Sequence, residues 1–105
     1  MTDHDLKIAR ELKRRCGEQV SLIEMRVFGS RARGDNKADS DLDIFIEVER
    51  LDRAIRRLIQ DIAWETGLDY STIITPIIFS RDEIERSPVR SSPIVQAVRE
   101  EGITI

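Results

Sequence analysis

The chain has one cysteine, Cys16, and one histidine, His4, among its 105 residues. No disulfide framework and no Cys/His zinc site can be assembled from that pair within one molecule, and a reducing cytoplasm is the expected compartment. A basic surplus is also missing. Twenty acidic residues stand against 17 basic ones, a net charge of −3, which argues against a general nucleic-acid binder. No apolar run approaches the length needed to span a bilayer, and the opening MTDHDLKIARELKRR lacks the apolar core of an export signal. Five Gly and three Pro are too few for a fibrous or low-complexity chain. At 40% hydrophobic and 35% charged, residues 1–105 are expected to form one globular domain with a single core. A cleft in so small a domain is shallow, or is completed by a partner.

What is present is an alternation of helical and strand periodicities. From Asp5 to about Cys16, Leu6, Ala9 and Leu12 follow helical spacing, and Gly17 is the expected stop. VSLIEMRVFG alternates Leu22, Glu24 and Arg26 against Ile23, Met25 and Val27, the period of a strand, and LDIFIEV is a second strand. Between Leu51 and Ala63 apolar residues recur every three or four positions, predicting a helix that Gly67 ends. STIITPIIF is a third strand, in which Pro76 favours a sheet edge or a bulge. Ser80 and Glu83 have the spacing of a capping box, and IVQAVREEG predicts a short terminal helix after Pro93. The order helix, strand, turn, strand, helix, strand, helix predicts an α/β (α+β) domain: a small mixed sheet with helices mainly on one face.

The least ordinary stretch is FGSRARGDNKADSDLDIFIEV, Phe28 to Val48. Asp41 and Asp43 lie two apart where a strand begins, so their side chains project to one face. Two such carboxylates repel by about 1 kcal/mol in water and by more where water is excluded. A divalent cation resolves that conflict, and hard oxygen ligands suit Mg2+ or Mn2+, which in turn favour phosphate oxygens. Upstream, Gly29 permits a tight turn, and the Ser30 hydroxyl with the backbone N–H groups of RARG would face an anion. A nucleoside triphosphate held by Ser30, with its metal held by the two aspartates, accounts for both halves. The alternative is a solvated turn in which Asp41 and Asp43 merely cap backbone N–H groups.

This segment resembles the signature of the DNA polymerase beta-like nucleotidyltransferase superfamily, specifically its minimal nucleotidyltransferases. Gly29, Ser30, Ala32, Gly34, Ser40, Asp41 and Asp43 match that pattern at consistent spacing. The resemblance implies a polymerase beta palm-like fold and Mg2+-dependent transfer of a nucleoside monophosphate, most simply from ATP, to an acceptor hydroxyl. By carry-over, Asp41 and Asp43 would be catalytic metal ligands, and Gly29 and Ser30 would contact the β and γ phosphates. The resemblance also implies a helical partner of the HEPN class, a toxin to which such minimal proteins serve as antitoxin.

The sequence departs from the pattern in one respect. Active members carry a third acidic residue on the following core strand, where this chain has Ser71, Thr72, Thr75 and Pro76; Asp69, at the strand's entrance, is the only acid available as a further metal ligand. That gap leaves three functions in view: an active nucleotidyltransferase, a nucleotide-binding antitoxin of weak or no activity, and an antibiotic-modifying nucleotidyltransferase, which the lack of an acceptor domain ranks last. Arg31 and Arg33 are expected to be solvated more than to steer a triphosphate, and RAIRRL to be a solvated helix face. Trp64 is expected in the core or an interface, His4 exposed and idle, and Cys16 an apolar filler of the first helix. Self-association is a further expectation, because apolar edges in a small domain need cover.

Overall fold

The computed structural model describes residues 1–34 and 40–105. Helix α1 (Asp3–Gln19) leads into strand β1 (Leu22–Phe28), a single helical turn α2 (Ser30–Arg33), strand β2 (Leu42–Val48), helix α3 (Arg53–Asp69) and strand β3 (Ile74–Ser80). Helix α4 (Arg81–Arg86), a 3-10 turn (Pro88–Ser91), helix α5 (Pro93–Glu101) and a two-residue strand β4 (Ile103–Thr104) complete the order. The sheet runs β3-β2-β1-β4. Strand β1 is antiparallel to β2 and β4, whereas β2 and β3 are parallel, with α3 as the crossover between them. The expected mixed α/β architecture is present, and β4 is an addition too short to show a period.

Two apolar clusters lie on opposite faces of the sheet. Leu42, Ile44, Ile46 and Val48 of β2 meet Ile8, Leu12 and Cys16 of α1 and Ile59, Ile62 and Ala63 of α3. The other face holds Phe28 and Phe45 against Ile84, Val95 and Val98 of α4 and α5. Both long helices thus share one face, as the sequence pattern predicts, while the short C-terminal helices cover part of the other.

Both glycine stops are displaced. Gly17 lies inside α1, which runs on to Gln19 and closes where the Val20 N–H bonds the Cys16 carbonyl. Gly67 lies inside α3; a Cβ there would sit 2.4 Å from the Thr72 carbonyl oxygen, so glycine serves the close return of the loop into β3. Other local signals hold. Asp52 caps α3 by accepting from the Ile55 N–H at 2.8 Å, and Ser80 and Glu83 form both bonds of a capping box. Strand β3 is an edge, and the Leu42 N–H to Ile73 carbonyl bond sets the ladder so that Pro76 turns its missing N–H outward. Proline therefore costs the sheet no hydrogen bond.

Candidate active site

Strand β2 enters the sheet at Leu42, so Asp41 and Asp43 stand at its N-terminal end, and alternation sends both side chains away from α1 and α3. The register lines up Phe28 of β1, Asp43 of β2 and Thr75 of β3 as one row across this face. Asp41 is about 7 Å further along the same face. Its carboxylate accepts a hydrogen bond of 3.1 Å from the Thr75 hydroxyl. Among the described residues nothing donates to Asp43. Burial first, and then the neighbouring Asp41, push the Asp43 carboxyl above its ordinary range, partly offset by Arg31 and Arg33.

The turn after β1 is fitted to this acid. Gly29 has φ of +74°, and a Cβ on it would lie 2.6 Å from Asp43 Oδ2. Any side chain at Gly29 would be strained and would displace the carboxylate. Ser30 opens α2, whose end is closed by the Gly34 N–H bonding the Ser30 carbonyl at 2.9 Å. Gly29, Ser30, Asp41 and Asp43 are therefore gathered at one end of the sheet. Residues 35–39 of the same segment lie outside the described residues.

Asp69 is placed differently. It is the last residue of α3, in the helix layer, and its Oδ2 pairs with Arg15 of α1 at 2.7 Å. The β3 residue in register with Asp43 is Thr75, so a hydroxyl occupies the row in which a third carboxylate was sought.

The structure also supplies a residue that sequence reasoning set aside. Arg31 is not solvated: its Nη1 donates to Asp5 Oδ1 at 2.6 Å, and its Nε and Nη2 donate to the Ser40 carbonyl, the Nε bond being 3.0 Å. This arginine ties the turn carrying Ser30 to the residue before Asp41, and both to the start of α1. Asp5, 2% exposed, accepts as well from the Thr2 N–H, and the Asp5 N–H bonds the Thr2 hydroxyl. Burial opposes its ionisation, but the Arg31 and Thr2 bonds prevail and hold its carboxyl below the usual range. Thr2 and Asp5 have capping-box spacing, a legible signal; no local pattern joins residues 5 and 31.

Two further expectations are corrected or refined. Trp64 is 64% exposed and so is not a core residue. Its neighbours Leu68 and Ile73 are exposed too. Cys16 is buried as expected, and burial pushes its thiol up to about 11, which leaves it an inert filler.

A family model described as nucleotidyltransferase domain matches residues 9–101. The chain belongs to that family. No curated relative matches it by sequence. Among solved structures it is similar to a chain of a toxin-antitoxin complex crystallised with AMP-PNP, at 20% identity and a TM-score of 0.60, covering 97% of this chain and 69% of that one. A structure of tri-AMPylated HEPN toxin from Shewanella oneidensis in complex with MNT antitoxin matches at 20% identity and a TM-score of 0.57, covering 96% and 67%. A nucleotidyltransferase structure from Sulfolobus solfataricus matches at 18% identity and a TM-score of 0.52, covering 99% and 87%. Among the described residues no helix is long and apolar enough to cross a membrane.

Proposed function

We propose that this chain binds a nucleoside triphosphate, with ATP the simplest candidate, and transfers its nucleoside monophosphate to a hydroxyl of a helical HEPN-type partner, acting as the antitoxin of the pair. The observation that carries the reading is the Asp41 and Asp43 pair facing one side of the sheet, with Asp43 packed against the Gly29 turn. It is supported by the AMP-PNP of one structural neighbour and the AMPylated HEPN toxin of another.

The residues present fit a divalent cation. Among the described residues neither carboxylate is paired with an arginine or lysine, and Asp41 takes only a neutral hydroxyl. Asp41 and Asp43 would hold Mg2+ or Mn2+, which when bound neutralises charge on the phosphates and favours in-line attack. Gly29 leaves room for backbone approach, and Ser30 offers a hydroxyl and an N–H to phosphate oxygens. In the transfer the acceptor oxygen forms a bond to the α phosphorus, the bond from that phosphorus to the bridging oxygen breaks, and pyrophosphate departs with the electron pair. The acceptor proton passes to solvent or to a carboxylate.

A second reading is favoured by Thr75. With a hydroxyl where a third carboxylate would complete the row, the chain would bind nucleotide and neutralise its partner by contact, transferring slowly or not at all. Calorimetry of ATP with and without Mg2+, on the natural protein and on the Asp41→Asn/Asp43→Asn double variant, tests the site. Mg2+-dependent binding that the double variant loses is expected, and equal binding by both would sink the assignment. Pyrophosphate release on adding a helical partner then separates transfer from binding alone.

A further inference from the structure

Two rows along from Asp43, the same face of the sheet opens into a second hollow that the nucleotide reading does not use. Its volume is about 240 Å3, and it lies where β1 and β2 pass beneath α4 and α5. Phe45, Ile84, Val95 and Val98 give it apolar walls. Into this setting β2 sends Glu47, only 7% exposed, with Glu24 of β1 as its partner in register. Glu24 is engaged by the Arg26 guanidinium. Glu47 is not engaged: among the described residues no hydrogen bond or ion pair reaches its carboxylate, whose oxygens keep contact with the hollow rather than being sealed.

An unpaired carboxylate nine-tenths buried beside apolar walls is costly to maintain, and a cation seated against it would offset that cost. We propose that this hollow binds an alkylammonium or alkylguanidinium group, its charge taken by Glu47 with Glu24 at the rim, and its stem lying on Phe45, Ile84, Val95 and Val98. The volume falls below the roughly 300 Å3 at which drug-sized sites begin, so it suits a short stem and not a nucleotide. Charges from the surrounding elements shape the balance. Arg81 of α4 and Arg99 of α5 favour ionised Glu47, while Glu24 and Glu85 oppose it. Arg26 is committed to Glu24; Arg99 lines the hollow without pairing to Glu47, so an entering cation has the carboxylate to itself. Burial first, and then Glu24, push the Glu47 carboxyl above its ordinary range, and a cation beside it would favour the ionised form. The same chemistry is carried by a free small amine and by a lysine or arginine side chain of a second protein.

The test is methyl NMR on the full chain, with n-butylammonium, n-butylguanidinium, the neutral 1-pentanol and N-acetyl-arginine-methylamide as probes. Saturable shifts at the Ile84, Val95 and Val98 methyls are expected with the cations, with affinity at least about tenfold weaker for 1-pentanol and for the cations on Glu47→Gln. Glu47→Gln removes an unpaired buried charge and keeps the side chain's shape, so its methyl spectrum should stay dispersed. Equal binding of alcohol and amine, retained affinity in Glu47→Gln, or no shift at all would overturn the proposal. So would a response that appears only in Arg99→Ala, since the hollow would then be the seat of Arg99. Binding of the blocked arginine as tight as n-butylguanidinium assigns the site to a side chain of a second protein; binding confined to the free cations assigns it to a small amine.

Discussion

Alternate residues of β2 inhabit two different environments. Leu42, Ile44, Ile46 and Val48 are fully buried beneath α1 and α3, while Asp43, Phe45 and Glu47 look the other way into a mixed acidic and aromatic surface. One face of the strand serves cohesion alone, and the other adds to Phe45 two carboxylates whose burial costs stability and which the proposed sites would use. The sharpest way to break this comparison is to exchange the faces' expected behaviour. Ile46→Ala removes atoms from a fully enclosed site and should destabilise by about 3 kcal/mol, roughly 15 °C in Tm, in urea and thermal unfolding. A loss below about 1 kcal/mol would mean that the helix-covered face is not the principal core.

The next effect in size crosses the division, because Asp5 and Arg31 place charge at the helix layer and connect it to the site. Asp5→Asn leaves the Arg31 guanidinium buried without a counter-charge and is expected to cost about 3 kcal/mol. Because the folded Asp5 carboxyl lies below its ordinary value of 3.8, its contribution is present above that value and is lost as pH falls through the lower folded value. The variant should therefore lie closest to the natural protein at the acid end of a urea series. A parallel offset at every pH would refute the ion pair as the cause. Nucleotide affinity should fall in the same variant, since Arg31 also holds the Ser40 carbonyl beside Asp41.

The elements were legible in the sequence because they rest on local rules. The 3.6-residue stripe of α3, the alternation of β1, the Ser80 and Glu83 box and the edge strand marked by Pro76 each depend on neighbours within a few positions. Gly17 and Gly67 misled because glycine is tolerated inside a helix, at a cost near 1 kcal/mol, when tertiary contacts favour continuing. In the candidate site, the juxtaposition of Gly29, Ser30, Asp41 and Asp43 could be read from one segment. The burial of Arg31 could not, since its partner Asp5 lies 26 residues away, and an arginine in a turn shows no sign of being enclosed. Glu47 was invisible for the same reason: alternation shows which face it takes, but only the packing of α4 and α5 shows that the face is covered.

Asp43→Asn tests the acidic face directly. Its carboxyl is raised above 3.8 in the folded protein by burial and by Asp41, so the folded state holds its proton more tightly than the unfolded state does. Stability that this group leaves intact in acid is then lost as pH rises from the ordinary value through the raised one. Asp43→Asn should lie closest to the natural protein in acid and be the more stable of the two near pH 7. Urea midpoints at the two pH values check this, and a variant less stable at pH 7 would show that Asp43 contributes a bond the structure does not contain. Added Mg2+ should stabilise only the natural protein, and more so as pH rises, because its ligands must be deprotonated.

The smallest expected effect concerns Thr75, where cohesion and chemistry meet in one hydroxyl. Its bond to Asp41 is exposed, so Thr75→Val should change stability by less than about 0.5 kcal/mol and Mg2+–ATP affinity by less than about threefold. Thr75→Asp is the informative partner. It puts a third carboxylate in register with Asp43 and beside Asp41, so repulsion should lower stability when no divalent cation is present. With Mg2+ the same charges become ligands, and affinity for the ion should rise by about tenfold or more. If pyrophosphate release rises with it, the natural hydroxyl is what limits transfer, and the chain is a binder by virtue of one side chain. If affinity rises and release does not, the limit lies in the acceptor, and Thr75 only steadies the Asp41 carboxylate.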